Sequence, residues 1–240
     1  MKHTITRSPF TGAPFGAFGE AAKPLPPAPV FTTQPGTNAT TGTANNQTHT
    51  DVLFQPGGVM TIQGAAASGV ESWQWQKQSG DGSWQNIAGR TGATITINSA
   101  PETATGIYRV LARNAGGETP SDPVTVTAAF LYLQPLAAGT DPTLTQSADR
   151  LAYSGTDTVS ATVTAKFIAL IRSFAAPTAN YMAVTGGLSA TTSDATNYPV
   201  TTYASGSTAR QVEVGTKAAG TATVAVKLAA LQSTLTLTVS

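Results

Sequence analysis

The stretch WQWQKQSGDGSWQN, residues 73–86, decides how the rest of the chain is read. Its first six residues alternate, with Trp73, Trp75 and Lys77 on one face and three glutamines on the other, which is the period of a β-strand. SGDGS (79–83) is hairpin-turn chemistry, because glycine tolerates positive φ and aspartate bonds its own backbone. Working outward, VMTIQGA (59–65), ATITI (93–97), IYRVLAR (107–113) and DPVTVTA (122–128) read as further strands. Short alternating strands separated by turn signals build a β-sandwich or a barrel.

Composition divides the chain into three. Residues 1–30 hold six of the fifteen prolines and close on PLPPAP (24–29), expected to be a semi-rigid polyproline-II spacer. Residues 31–128 form the strand-rich region just described. Residues 129–240 repeat the theme in DTVSATVTAKF (157–167), RQVEVGTK (210–217), TATVAVKL (221–228) and STLTLTVS (233–240), whose Thr/Val content suits pleated, half-buried surfaces. KFIALIRSF (166–174) fits either a strand or one or two helical turns, since periodicity cannot decide. The expected architecture is all-β: two tandem β-sandwiches, at 31–128 and 129–240, preceded by an extended Pro/Gly-rich arm.

The first sandwich resembles an immunoglobulin-like domain. The likeness rests on a tryptophan in WQW, a corner ending in TGIYRV (105–110), and RNAGGE (113–118) before a last strand. The resemblance implies that Trp75 fills the core and that Tyr108 is the tyrosine-corner residue. It also implies that Val110 replaces the second cysteine, whose partner on strand B falls at Gly64 or a neighbour. Ala104 stands where the family usually has an acidic residue. Cysteine-free domains of this kind belong to bacteria and tailed phages, and SWQNIAGRTGATITI (83–97) resembles their C′-to-E segment. The last third resembles bacterial immunoglobulin-like repeats more weakly.

The totals narrow the function. Thirteen basic residues face twelve acidic ones without a cluster, so a phosphate-neutralising nucleic-acid surface is not expected. Absence of cysteine excludes disulfides and thiolate metal sites. No apolar segment follows MKHTITR at the N-terminus, and the most apolar run, Phe167 to Ile171, is far short of the ~20 residues that span a bilayer. A soluble protein made without Sec export is expected. His3 and His49 lie in polar segments with no nucleophile elbow, and no phosphate loop or HExxH occurs. Asp81, Glu118, Asp122, Asp149 and Asp157 read as turn formers and solvated surface, without metal-loop or glycosidase spacing. No catalytic residue, cofactor or metal is expected. Trp84, Tyr198 and Tyr203 are candidates for stacking on a glycan.

Phe10, Phe15 and Phe18 sit in SPFTGAPFGAFG (8–19), where glycine and proline prevent regular structure. Burying three phenylalanines returns much less than fixing residues 1–30 costs, so docking the arm needs a long contact surface. The preferred surface is another chain, reached by β-augmentation or groove binding. The likeness to phage domains then implies a structural virion protein, an auxiliary capsid decoration or cement protein. Its partner would be the major capsid protein lattice, bound in many copies through Phe10, Phe15 and Phe18. Its location would be the virion, assembled in the bacterial host cytoplasm. The alternatives are a tail, baseplate or fibre component touching host glycan, and a bacterial carbohydrate-binding or adhesion module.

Overall fold

The computed structural model describes residues 23–44, 47–136, 143–158, 164–181, 183–184, 187–203 and 210–240. Phe10, Phe15 and Phe18 therefore lie outside the described residues. Strands β1 (Val30–Thr33), β2 (Thr40–Ala44), β3 (Gln47–Phe54), β4 (Met60–Ile62), β5 (Ala66–Ser68), β6 (Ser72–Gln78), β7 (Trp84–Asn86) and β8 (Ile95–Ile97) come first. A 3-10 turn at Glu102–Ala104 leads into β9 (Gly106–Asn114), β10 (Gly117–Pro120) and the twelve-residue β11 (Val124–Pro135). The remainder folds as β12 (Thr143–Gln146), β13 (Ala152–Asp157), β14 (Thr164–Ser173), β15 (Ser189–Thr192), β16 (Val200–Tyr203), β17 (Gln211–Gly215), β18 (Gly220–Leu228) and β19 (Leu231–Val239).

Two immunoglobulin-like sandwiches result, and their strand orders match. In the first, β1 pairs antiparallel with β5, and β3 then runs parallel to the last strand, β11. In the second, β11 pairs antiparallel with β14, and β13 runs parallel to the last strand, β19. Each domain also carries an extra strand where the chain crosses between sheets, β2 against β3 and β12 against β13. Gln34-Pro35 and Gln134-Pro135 mark the start of this crossover in both, a repeat that the strand-by-strand reading passed over.

Residues 166–173 of KFIALIRSF belong to β14, so of the two alternatives the structure takes the strand, with Phe174 just past its end. Phe167, Ala169 and Ile171 face the second core, and the apolar Ile168 and Leu170 lie on the opposite face of the same strand, so the run is apolar on both faces. Strand B is shorter than VMTIQGA predicted. Met60 and Ile62 fill the core at full burial, whereas Gly64 lies beyond the strand at φ +94°. A Cβ there would come within 2.3 Å of Thr37 Cγ2, so the position is kept for close backbone approach.

PLPPAP is not a free spacer. Asn114 Nδ2 donates to Pro27 O at 2.8 Å and Thr119 Oγ1 to Pro29 O at 2.6 Å, and Pro29 is buried. Gly116 allows this docking, because a Cβ at that position would stand 1.7 Å from Pro26 O. The described end of the arm thus rests on its own first domain.

No linker separates the sandwiches. Ala128 belongs to the first core and Ala129 to the second, within the single strand β11. Leu53 from β3 also enters the second core, while Phe174 after β14 packs on the first. After β14 the chain returns to the β2–β3 hairpin, where Ala183 and Thr43 exchange backbone hydrogen bonds of 2.8 and 3.1 Å. Beneath it the buried Asp51 carboxylate accepts from Thr127 Oγ1 at 2.9 Å and from the Tyr181 hydroxyl. Gln55 and the Gln232 backbone pair across the other side of the junction.

Two outcomes follow from these contacts. Tyr181→Phe strips one donor from a buried carboxylate and should cost about 1–3 kcal/mol, read as a lower denaturant midpoint at unchanged m-value. Gly116→Ala should lift residues 23–29 off the first domain, read as new proteolytic cleavage there while the core stays protected.

Candidate binding surfaces

The tryptophans divide by strand geometry. Trp75 is fully buried and donates Nε1–H to Gly92 O at 2.8 Å, so its indole both fills the core and fixes the loop before β8. Trp73 is half-buried against Phe31, with ring centroids 5.9 Å apart. Trp84 stands on β7, at one end of the ten-stranded sheet, and is half-exposed. The Arg109 guanidinium covers one face of its ring at 4.3 Å. Arg109 Nε donates to Gln76 Oε1 at 2.7 Å, and Gln76 Nε2 donates to Asn86 Oδ1 at 2.9 Å. The outer face of β7, β6 and β9 thus offers one tryptophan edge among amides that largely satisfy one another.

The tyrosine candidates are elsewhere. Tyr198 is 3% exposed and donates its hydroxyl to Ala218 O at 3.0 Å, so it is a core residue of the second sandwich and offers no glycan platform. The turn at Asp194 folds this tyrosine inward: Asn197 N donates to Asp194 Oδ1 at 3.1 Å and Tyr198 N to Asp194 O at 2.9 Å. Tyr203 is half-exposed on β16, the opposite end of the sheet from β7, with its hydroxyl donating to Glu213 Oε2 at 3.2 Å. The two strands belong to different sandwiches, β7 joined to β11 through β6 and β9, and β16 through β17 and β14. Trp84, Tyr198 and Tyr203 therefore do not form one stacking surface.

At the tyrosine corner, Tyr108 donates to Ala104 O at 2.5 Å. Burial pushes its phenol up to about 12, with Lys77 Nζ 5.4 Å from the ring centroid. Val110 is fully buried beside it in the same core.

The carboxylates act locally. Asp81 Oδ1 accepts from Ser83 N at 3.0 Å and Ser83 Oγ at 2.7 Å, which holds its carboxyl below the usual range. Asp149 does the same for Ser147 and Leu151 at the turn before β13. Glu118 pairs with Arg113 at 2.9 Å, and the Asp122 backbone amide donates to Gln34 Oε1 at 2.9 Å. Asp157 Oδ1 accepts from Thr158 N at 2.8 Å. His49 lies 5.3 Å from the Tyr181 ring, centroid to centroid. Among the described residues, no three His, Asp or Glu side chains converge on a common point.

An open hollow lies on the second sandwich. It measures about 230 Å³ and is lined by Thr143, Thr145, Ser154, Gly155, Thr156 and Thr238, where β12, β13 and β19 meet. The sequence reading named none of these residues, nor the Asp51–Thr127–Tyr181 contact.

No protein-family model matches the chain. One curated relative, Endoglucanase C of Cellulomonas fimi, is 35% identical over 109 residues, which is 45% of this chain and 8% of the enzyme. The chain thus spans under a tenth of that relative's length. Among solved structures, Sidekick-1 immunoglobulin domains 1–5 align at 15% identity and TM-score 0.32, covering 89% of this chain and 38% of that one. Extracellular domains 3–5 of Drosophila OTK align at 11% identity and TM-score 0.31, over 79% of this chain and 59% of theirs. A titin Z1Z2 tandem aligns at 17% identity and TM-score 0.29, over 88% of this chain and 99% of its own.

Alkaline titration offers a check on the buried phenols. Tyr108, Tyr153 and Tyr181 are each raised from 10.0 to about 12, with burial as the main cause. The folded state holds these protons more tightly than the unfolded one, so their contribution is complete below pH 10 and drains as pH rises through 12. The urea midpoint should be flat from pH 8 to about 10 and fall steeply above it. The fall should shrink in Tyr108→Phe once that variant's own lower baseline is subtracted.

Proposed function

We propose that this chain is a non-catalytic structural protein that binds and presents as part of a larger assembly. The observation that carries this reading is β11, which completes one sandwich and begins the next, so the two domains are held at a fixed angle. A fixed spacing between two binding ends suits a bridge or a projecting element better than it suits a hinged catalytic pair. Asp81, Asp149 and Asp194 are each held in a turn by neighbouring amides, which supports a role without hydrolytic chemistry.

The assembly we infer is a tailed-phage particle, with the chain as an auxiliary capsid decoration protein assembled in the bacterial cytoplasm. Support comes from the likeness of the first sandwich to cysteine-free phage domains and from the aromatic arm that precedes Lys23. Residues 23–29 are committed to the first domain, so the anchor to the capsid lattice is confined to residues 1–22, with Phe10, Phe15 and Phe18. Many copies on a symmetric lattice would turn weak single contacts into firm attachment.

A second reading is favoured by the match to part of Endoglucanase C: an accessory module of a secreted carbohydrate-active protein, with the half-exposed Trp84 as a stacking group. Deleting residues 1–22 separates the two. In the capsid reading, co-sedimentation with capsids is lost while the melting temperature stays unchanged, and retained co-sedimentation overturns the anchor. In the module reading, the full chain is retained on insoluble cellulose and Trp84→Ala releases it. Glycan hydrolysis by the purified chain would overturn both.

A further inference from the structure

The matching strand orders allow the two domains to be compared residue by residue at their lower ends. The last pair between the parallel strands is Phe54 with Ala128 in the first domain and Asp157 with Val239 in the second. Stepping back equally from each, Asp51 and Thr127 correspond to Ser154 and Thr238. Thr40, paired with Asp51, corresponds to Thr145, paired with Ser154. In the first domain this place is occupied: Tyr181, from the loop after β14, puts its hydroxyl between Asp51 and Thr127, leaving them 4% and 6% exposed. In the second domain Ser154, Thr238 and Thr145 are exposed and line the 230 Å³ hollow.

We propose that this hollow is a docking site for the facing end of a further immunoglobulin-like domain, one that inserts a loop tyrosine as the second domain does into the first. The occupant follows from what fills the equivalent place within the molecule. Its hydroxyl would meet two neutral hydroxyl groups in place of a carboxylate and a hydroxyl, so the contact is the weaker of the two. The hairpin is also shorter. Pairing of β12 with β13 stops at Gln146–Tyr153, equivalent to Thr41–Thr50, whereas β2 and β3 continue to Ala44–Gln47. The Thr43–Ala183 bridge therefore has no counterpart, and the contact depends on the strand-to-strand continuation and on the hollow itself. A second copy of this chain is a poor donor, because its own Tyr181 is already seated.

The module known to make this contact can serve as the probe. Residues 1–239 are followed directly by a second copy of residues 129–240, and a parallel version joins the same copy to the full chain through a flexible glycine–serine linker. Amide hydrogen exchange is then followed across β12 and β13. Docking should slow exchange there at least tenfold in either version relative to the unextended chain. Tyr181→Phe in the appended copy should restore most of the lost exchange. Ser154→Lys with Thr238→Lys should abolish the slowing, and because both positions are exposed, the melting of the unextended chain should not move. Unchanged exchange in both extended versions overturns the proposal. So does protection that survives the double lysine variant.

Discussion

A strand that is the last of one sandwich and the first of the next has to satisfy two cores along one extended backbone, and β11 does so without a break. From Val124 to Ala128 its inward residues meet the core around Trp75, and from Ala129 onward they meet the core around Phe167. A bend between them would cost ladder hydrogen bonds on both flanks, to β3 and β9 before the handover and to β14 after it. The fixed relation of the domains is therefore a consequence of backbone pairing, with side chains reinforcing it. Leu53 and Phe174, each packed in the other domain's core, and Asp51 under Tyr181 act on a junction already constrained by the strand.

Most of the fold was legible because its signals are local. Alternation in WQWQKQ, glycine and aspartate in SGDGS, and the IYRV corner each depend on neighbours within a few residues. Trp75, Tyr108 and Val110 sit buried for reasons of pattern that can be read off a single strand. What escaped was set by long-range contact. KFIALIRSF hides its alternation because Ile168 and Leu170, on the face away from Phe167, Ala169 and Ile171, are apolar too, and AAFLYL (128–133) runs two core residues together where β11 changes cores at Ala129, with Phe130 against Phe174 on its other face. What covers the second face cannot be inferred from inside either segment.

The candidate site was less legible, for a related reason. Exposure of an aromatic depends on what crosses it. Arg109 lies over Trp84 because β9 and β6 are neighbours, and Tyr198 is buried because a turn at Asp194 and the carbonyl of Ala218 receive it. Residue type alone marked Trp84, Tyr198 and Tyr203 as equivalents, and the sheet order separates them. The hollow on β12, β13 and β19 was invisible to that reasoning because threonine and serine on a strand usually mean nothing more than solvent.

Charge sets the character of any contact this molecule makes. With thirteen basic and twelve acidic residues in 240, and several of them tied to nearby groups, there is little field to draw a partner from a distance. Association through such surfaces proceeds at unsteered rates, and neutral hydroxyl and amide contacts do little to slow release. Useful attachment must then come from geometry: several weak sites engaged together, or one site held close by a continuous chain. The structure already contains one solved instance. Thr127, Asp51 and Tyr181 would make a feeble interface between separate molecules, yet joined by β11 they meet at an effective concentration that diffusion could not match.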